Sequence, residues 1–176
     1  MSESTLIVCY SNTGTSRRVA DLLSSKFQWP CGEVSESRSR TGAAGIWRCV
    51  MDSLLRRHPA IRYEGPDPRS FGTVVLIAPV WLYRLAGPMR SFVRDHSTGL
   101  KRVAVISVMG GRGASNAVAE IDRTLGRAPI LSTSFTAREV DDGSYASRLD
   151  VFGNAVRDNT KNQETVRPAA LSPSTV

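Results

Sequence analysis

Three segments of the chain directly follow apolar runs and contain the small polar, glycine and aromatic residues that could bind a ligand. They are SNTGTS (11–16), APVWLYRLAGP (78–88) and MGGRG (109–113). Ligands of a parallel sheet bind outside the carboxyl ends of its strands, so we expect the three loops to meet at one site.

The first loop has the composition of a phosphate-binding turn. Gly14 permits a tight turn, Asn12 supplies an amide, and hydroxyl donors are offered by Ser11, Thr13, Thr15 and Ser16. A helix-like pattern follows the turn, and the free N–H groups of a helix N-terminus stabilise anions. Because the loop contains no lysine, a phosphate here would be held without a positive side chain.

Several reactive phosphate sites are excluded by what the loop lacks. It has neither the GK[ST] ending of a nucleotide-hydrolysing loop nor the GxGxxG of a dinucleotide site. A cysteine phosphatase using Cys9 would need an arginine six positions later, where the chain has Thr15. A phospho-acceptor domain would need an aspartate at Tyr10 or Ser11. We therefore expect the loop to hold a phosphomonoester without reacting with it.

The elements that position these loops alternate between strands and helices. Apolar runs predict five strands at 5–10, 31–37, 73–80, 102–108 and 129–136. Helical spacing predicts helices at 15–27, over Ile46–Leu55, from Pro88, at 114–125 and over Tyr145–Val156. This alternation predicts an α/β fold with a parallel sheet covered by helices on both faces.

The length of 176 residues predicts one domain, spanning residues 1–157. Residues 158–176 are polar and lack periodicity, so we expect a disordered tail. No apolar stretch is long enough to span a bilayer and the N-terminus lacks a signal pattern, which favours a cytoplasmic location. The three cysteines, Cys9, Cys31 and Cys49, have no zinc or disulfide spacing, and no metal site is expected.

The three loops together resemble those of the flavodoxin-like family. SNTGTS is similar to the family's phosphate loop, PVWLYRLAGPMRSF to its flavin-ring loop, and MGGRGA to the glycine-rich loop at the other edge of the ring. Strand and loop order match over residues 5 to about 157. The resemblance implies a doubly wound, five-stranded parallel sheet of order 2-1-3-4-5 that binds FMN.

The resemblance also implies which residues contact FMN. The phosphate would be held by Ser11, Asn12, Thr13, Gly14, Thr15 and Ser16. The ring would be contacted by Pro79, Val80, Trp81, Leu82 and Tyr83, and its pyrimidine edge by Met109, Gly110, Gly111, Arg112 and Gly113. Trp81 and Tyr83 would stack on the ring or, alternatively, pack against the sheet. Arg112 would favour the reduced, anionic flavin or, equally, be a solvated surface residue.

The chain departs from the family pattern in two respects. Many members have a small residue after the ring-loop aromatic, where this chain has Leu82 and Tyr83. The best-known members are acidic electron shuttles, whereas this chain has a net charge of +7. Because opposite charge speeds encounter and selects partners, the usual basic partners do not suit this chain.

Basic residues are enriched between Arg38 and Arg62. This segment contains six arginines and only one acidic residue, Asp52. It is either a patch for an acidic or anionic partner or a solvated helix face. No nucleic-acid motif accompanies it, and nucleic acid is not an expected partner.

Three functions are compatible with the sequence. The leading hypothesis is a redox protein that transfers electrons through non-covalently bound FMN to a partner protein. The second is an FMN enzyme that uses NAD(P)H to reduce a quinone or another acceptor. The third, from a different class, is a flavin-free interaction module that uses the basic segment. We assign no side chain as acid, base or nucleophile. In the first two hypotheses the flavin performs the chemistry.

Overall fold

The computed structural model describes residues 4–36 and 59–166, with side chains described as far as residue 160. Within these residues, seven strands form one sheet: β1 (Thr5–Tyr10), β2 (Cys31–Glu36), β3 (Ile61–Glu64), β4 (Thr73–Trp81), β5 (Arg84–Leu85), β6 (Arg102–Met109) and β7 (Leu131–Thr136). The helices described are α1 (Thr15–Phe27), α2 (Gly87–His96), α3 (Ala114–Leu125), α4 (Ala137–Asp142) and α5 (Ala146–Val166), with a 3₁₀ turn at Pro68–Ser70.

The strand order of the sheet is β3-β2-β1-β4-β6-β7, with β5 paired to β4. The five strands predicted from the sequence are β2, β1, β4, β6 and β7 in this order, and all of their pairings are parallel. This confirms the doubly wound sheet of order 2-1-3-4-5. Strand order reverses between β1 and β4, which is where such sheets bind ligands.

Helices cover both faces of the sheet, and each face has its own apolar core. One core combines Leu6, Val8, Leu76 and Val105 with residues of α2 and α3, including Phe92. The other combines Ile7, Ile77 and Ile106 with α1 and α5. The central strands are thus apolar on both sides, as their continuous β-branched runs predict.

The sheet contains two strands that the sequence interpretation missed. β3 adds an antiparallel edge strand to β2, pairing Val34 with Tyr63. β5 forms a short hairpin with β4, pairing Trp81 with Arg84. The parallel sheet of five strands is therefore extended by one antiparallel edge strand and one two-residue strand.

The C-terminal part of the chain also differs from the prediction. Residues 158–166, expected to belong to a disordered tail, are the last turns of α5. Thr160 explains the difference, because its buried hydroxyl lies 3.2 Å from that of Thr73 at the start of β4 and donates to the Val156 carbonyl. This contact joins α5 to the sheet at residue 160.

Some sequence predictions lie outside the described residues. These are the helix over Ile46–Leu55, five of the six arginines between Arg38 and Arg62, Cys49, and the tail at 167–176. Among the residues that are described, no helix has the length and apolar character to cross a membrane.

Candidate functional site

A cleft opens at the carboxyl ends of β1, β4 and β6, where the strand order reverses. Three loops form it, as predicted, and the start of α4 closes one side. Its lining residues are Ser11, Asn12, Thr13, Thr15, Ser16, Pro79, Val80, Trp81, Val108, Met109, Gly110 and Ala137. Hydroxyl and amide groups thus lie on one side of the cleft and apolar side chains on the other.

The loop after β1 turns sharply at Gly14. This residue has a φ of +86° and caps α1 without any side-chain hydrogen bond to the first turn. Its N–H donates to Ser11 Oγ at 3.1 Å, and its carbonyl accepts from the N–H of Arg18 at 3.1 Å. The first N–H groups of a helix have no partner inside the helix, so those of α1 are left to bind an anion.

The hydroxyls of the loop differ in how they are engaged. Thr13 Oγ1 and Thr15 Oγ1 lie 3.3 Å apart, and Ser11 Oγ accepts from Gly14. Ser16 is buried and lines the cleft, and its hydroxyl has no hydrogen bond within the described part of the chain. Ser16 is therefore the hydroxyl most clearly left to a ligand.

The two arginines that follow the loop are directed to ion pairs elsewhere. Arg17 pairs with Glu33 of β2, and Arg18 pairs with Asp141 of α4 at 2.6 Å. None of the described residues that line the cleft carries a charged side chain. An anion in the cleft would be bound by neutral donors, which agrees with the absence of lysine from the loop.

Cys9 is unsuited to nucleophilic chemistry. It is buried within β1, and burial, with a smaller contribution from the neighbouring Cys31, raises the pKa of its thiol far above the ordinary value. Because the thiolate is the reactive form, a thiol in this environment is inert. The structure thus supports the exclusion of a cysteine phosphatase.

The ring-loop segment is a tight β-hairpin. Trp81 and Arg84 pair across it, and the two turn residues have positive φ values of 47° at Leu82 and 63° at Tyr83. Positive φ at both central positions is typical of the type I′ turns that join two antiparallel strands. Asn-Gly is the sequence that usually adopts this turn, which explains why WLYRL did not predict a hairpin.

Trp81 lies at the base of this hairpin. Its ring is half-buried in the cleft wall and meets Tyr10 edge to face, with the ring centroids 6.1 Å apart. Leu82 and Tyr83, at the tip, are 51% and 56% exposed. The aromatic residue closest to the strand thus faces the cleft, while the tip side chains extend into solvent.

Two contacts fix the hairpin in place. Gly113 has a φ of +115°, and a Cβ built there would lie 2.6 Å from the Cα of Tyr83. Behind the hairpin, the buried guanidinium of Arg90 donates to the Leu85 carbonyl at 2.9 Å and pairs with Glu120 of α3. The third loop, α2 and α3 therefore all hold the hairpin.

Sequence reasoning missed two lining residues, Val108 and Ala137. Ala137 begins α4, which Thr136 and Glu139 open with a reciprocal capping box. The spacing Thr136-x-x-Glu139 could have predicted this helix. Hydrogen bonds from the Thr136 N–H and hydroxyl lower the pKa of Glu139, which also pairs with Arg148.

The cleft includes ten of the sixteen residues predicted to bind the cofactor. The other six do not line it and are Gly14, Leu82, Tyr83, Gly111, Arg112 and Gly113. All six belong to the loops that form the cleft, so their contact with a cofactor stays a prediction. Arg112 is exposed, and no group of His, Cys, Asp or Glu side chains in the described residues could hold a metal ion.

Comparison with solved structures identifies the fold. A flavoprotein from Lactobacillus acidophilus, solved in complex with FMN, superimposes with a TM-score of 0.66 at 21% identity, covering 81% of this chain and 99% of that one. The chain has the flavodoxin-like fold. No protein-family model matches the sequence, and no curated protein does.

Two further solved structures share this flavodoxin-like fold. A flavodoxin from the domain Archaea has a TM-score of 0.50 at 16% identity, covering 89% of this chain and 99% of that one. An NAD(P)H:quinone oxidoreductase from Methanothermobacter marburgensis also has a TM-score of 0.50, at 14% identity, covering 89% and 96%. At these identities the similarity establishes the architecture alone.

Proposed function

We propose that this flavodoxin-like protein binds FMN non-covalently in the cleft and transfers electrons through it. The observation that carries the proposal is the pairing, in one cleft, of an uncharged phosphate-type loop with the half-buried ring of Trp81. FMN combines a phosphomonoester with a large flat ring, and the FMN complex of the Lactobacillus acidophilus flavoprotein supports the choice of ligand.

The donor set fits the phosphate of FMN. Loop hydroxyls and the first N–H groups of α1 can donate several charge-assisted hydrogen bonds to one anionic group. Gly14 leaves the loop backbone open to close approach, because a Cβ there would have no atom within 4 Å. Neutral donors at a helix N-terminus bind phosphate without a lysine.

The apolar wall fits the ring. Pro79, Val80, Trp81 and Met109 present apolar surface to the cleft. Flat aromatic ligands bind preferentially against such surfaces, with a few polar groups fixing their orientation. Backbone N–H groups of the segment from Gly110 to Gly113 are the groups we assign to the polar edge of the ring.

Bound FMN supplies the electron-accepting ring, which no side chain of this protein can replace. The protein binds the phosphate at Ser16 and α1, orients the ring against Trp81 and covers its inner side with the apolar wall. The buried Tyr10 ring packs edge to face against Trp81 and supports the indole.

The purified protein tests this proposal through its visible absorption spectrum. We expect a flavin spectrum, or one that develops when FMN is added, and the flavin released by acid should be FMN. A protein that stays colourless and leaves the fluorescence of added FMN unchanged would contradict the proposal and favour the interaction module. Steady oxidation of NAD(P)H by the flavin-loaded protein with a quinone would indicate an enzyme, and its absence a shuttle.

A further inference from the structure

The tip of the β4–β5 hairpin combines exposed apolar side chains with unpaired positive charge. Leu82 and Tyr83 are two of the three large hydrophobic residues exposed in the described part of the chain, and the third, Val151, lies on α5. The side chains of Arg84 and Arg112 form no ion pair or hydrogen bond with described residues. We refer to Leu82, Tyr83, Arg84 and Arg112 as the hairpin surface.

Leu82 and Tyr83 have an unfavourable backbone conformation, with positive φ at both residues. Positive φ costs free energy for leucine and tyrosine, and Asn-Gly would adopt the same turn without that cost. Gly113 packs against the Tyr83 backbone, and Arg90 holds the Leu85 carbonyl. The protein thus fixes two apolar side chains in solvent, on a strained turn, directly beside the cleft.

The two segments that contain the hairpin surface are basic. Segments 79–92 and 108–119 contain the arginines Arg84, Arg90 and Arg112 and no acidic residue. Arg90 is buried and paired with Glu120, so the positive charge of the surface comes from Arg84 and Arg112. An apolar centre with a charged rim is the usual composition of a transient protein interface, and this rim selects an acidic partner.

We propose that the hairpin surface is the docking site for an acidic redox protein that exchanges electrons with the cleft. This inference rests on the proposed function, because it places the partner beside the flavin. The apolar tip would enter a shallow apolar patch of the partner, while Arg84 and Arg112 would face carboxylates around that patch.

The test uses two haem proteins of opposite charge as probes. Chemically reduced, FMN-loaded protein is mixed anaerobically with ferric cytochrome b5, which is acidic, or with ferric cytochrome c, which is basic. Two ferric haems are reduced to the ferrous state for each flavin oxidised, and the flavin protons are released to solvent. The rate is measured against ionic strength, and benzoquinone serves as a small uncharged acceptor that needs no docking surface.

We expect the rate with cytochrome b5 to fall as salt is added and the rate with cytochrome c to rise or stay level. Arg84→Glu should slow the reaction with cytochrome b5 about five- to tenfold at low salt, relative to benzoquinone in the same variant. Lys101→Glu is the matched control, because Lys101 is exposed just before β6, at the opposite end of the sheet. It makes the same change in net charge and should leave the ratio of the cytochrome b5 rate to the benzoquinone rate close to that of the wild type.

A second variant, Leu82→Asn with Tyr83→Gly, tests the apolar tip. It should raise the denaturation midpoint, because the strain of the turn is removed. It should also lower the rate of cytochrome b5 reduction relative to the rate of benzoquinone reduction. The proposal would be overturned if Arg84→Glu and Lys101→Glu changed the rate with cytochrome b5 relative to benzoquinone equally. It would also be overturned if the hairpin variants lost FMN affinity without a change in this rate ratio. Failure to bind FMN at all would instead contradict the proposed function, and the absorption spectrum separates the two outcomes.

Discussion

Ser16 is the single residue that best tests whether the loop after β1 binds the phosphate of FMN. It is buried and lines the cleft, and its hydroxyl has no hydrogen bond to any described residue. The Ser16 hydroxyl oxygen is not among the fully enclosed polar atoms of the described residues, so it stays accessible to a ligand in the cleft. A bound phosphate would provide the missing acceptor, and Ser16 would then contribute to affinity more than to folding.

The Ser16→Ala variant is therefore expected to bind FMN about tenfold more weakly, since a hydrogen bond to a charged group is lost. Its free energy of unfolding without ligand should change by no more than about 0.5 kcal/mol. Ser25→Ala is a control on the same helix, because Ser25 is exposed and its hydroxyl donates to the Leu22 carbonyl, away from the cleft. Fluorescence titration with FMN measures both, and equal affinities in the two variants would remove Ser16 from the site.

At the scale of elements, the hairpin and the loop before α3 form one unit. Gly113 is in the left-handed region and lies against the backbone of Tyr83. Because the nearest atom is the Cα of Tyr83, it cannot move aside as the end of a flexible side chain would. The geometry of the ring loop thus depends on a glycine in a different loop.

The Gly113→Ala variant should lose about 2 kcal/mol of stability, because the methyl group meets the hairpin and alanine disfavours this φ. Gly110→Ala is the matched control, since a Cβ at Gly110 has no atom within 4 Å and the residue lies in the same loop. Urea unfolding of both variants without ligand measures the difference. A loss as large for Gly110→Ala as for Gly113→Ala would show that this contact does not determine the stability of the loop.

The elements predicted correctly from the sequence are those whose apolar pattern is visible within the element itself. β1, β4 and β6 are continuous apolar runs, and α1 and α3 have regular apolar faces that match their observed bounds. The converging loops follow from topology, because parallel strands bring their carboxyl ends to one edge. This is why ten of the predicted residues line one cleft.

The elements that escaped prediction depend on contacts distant in sequence or on unusual turn residues. α5 is joined to β4 by the contact between Thr160 and Thr73, which local periodicity cannot reveal. The β4–β5 hairpin uses Leu82 and Tyr83 where Asn-Gly would have signalled a turn. Val108 and Ala137 enter the cleft because of how β6 and α4 are placed, not because of their residue types.

At the scale of the whole molecule, an uncharged phosphate site coexists with a net charge of +7. The described residues of the cleft lining carry no charged side chain, and Arg17 and Arg18 are engaged in ion pairs. Positive charge beside the cleft is instead exposed on the hairpin surface. The molecule therefore separates ligand binding, through neutral donors, from partner selection, through charge.

The most direct test of the central claim is a titration of flavin-free protein with FMN and with riboflavin, which has the same ring but no phosphate. We expect FMN to bind roughly a hundredfold more tightly than riboflavin, because the loop hydroxyls and the N-terminus of α1 bind the phosphate. Equal affinities for the two flavins, or binding of neither, would contradict the assignment of this cleft as an FMN site.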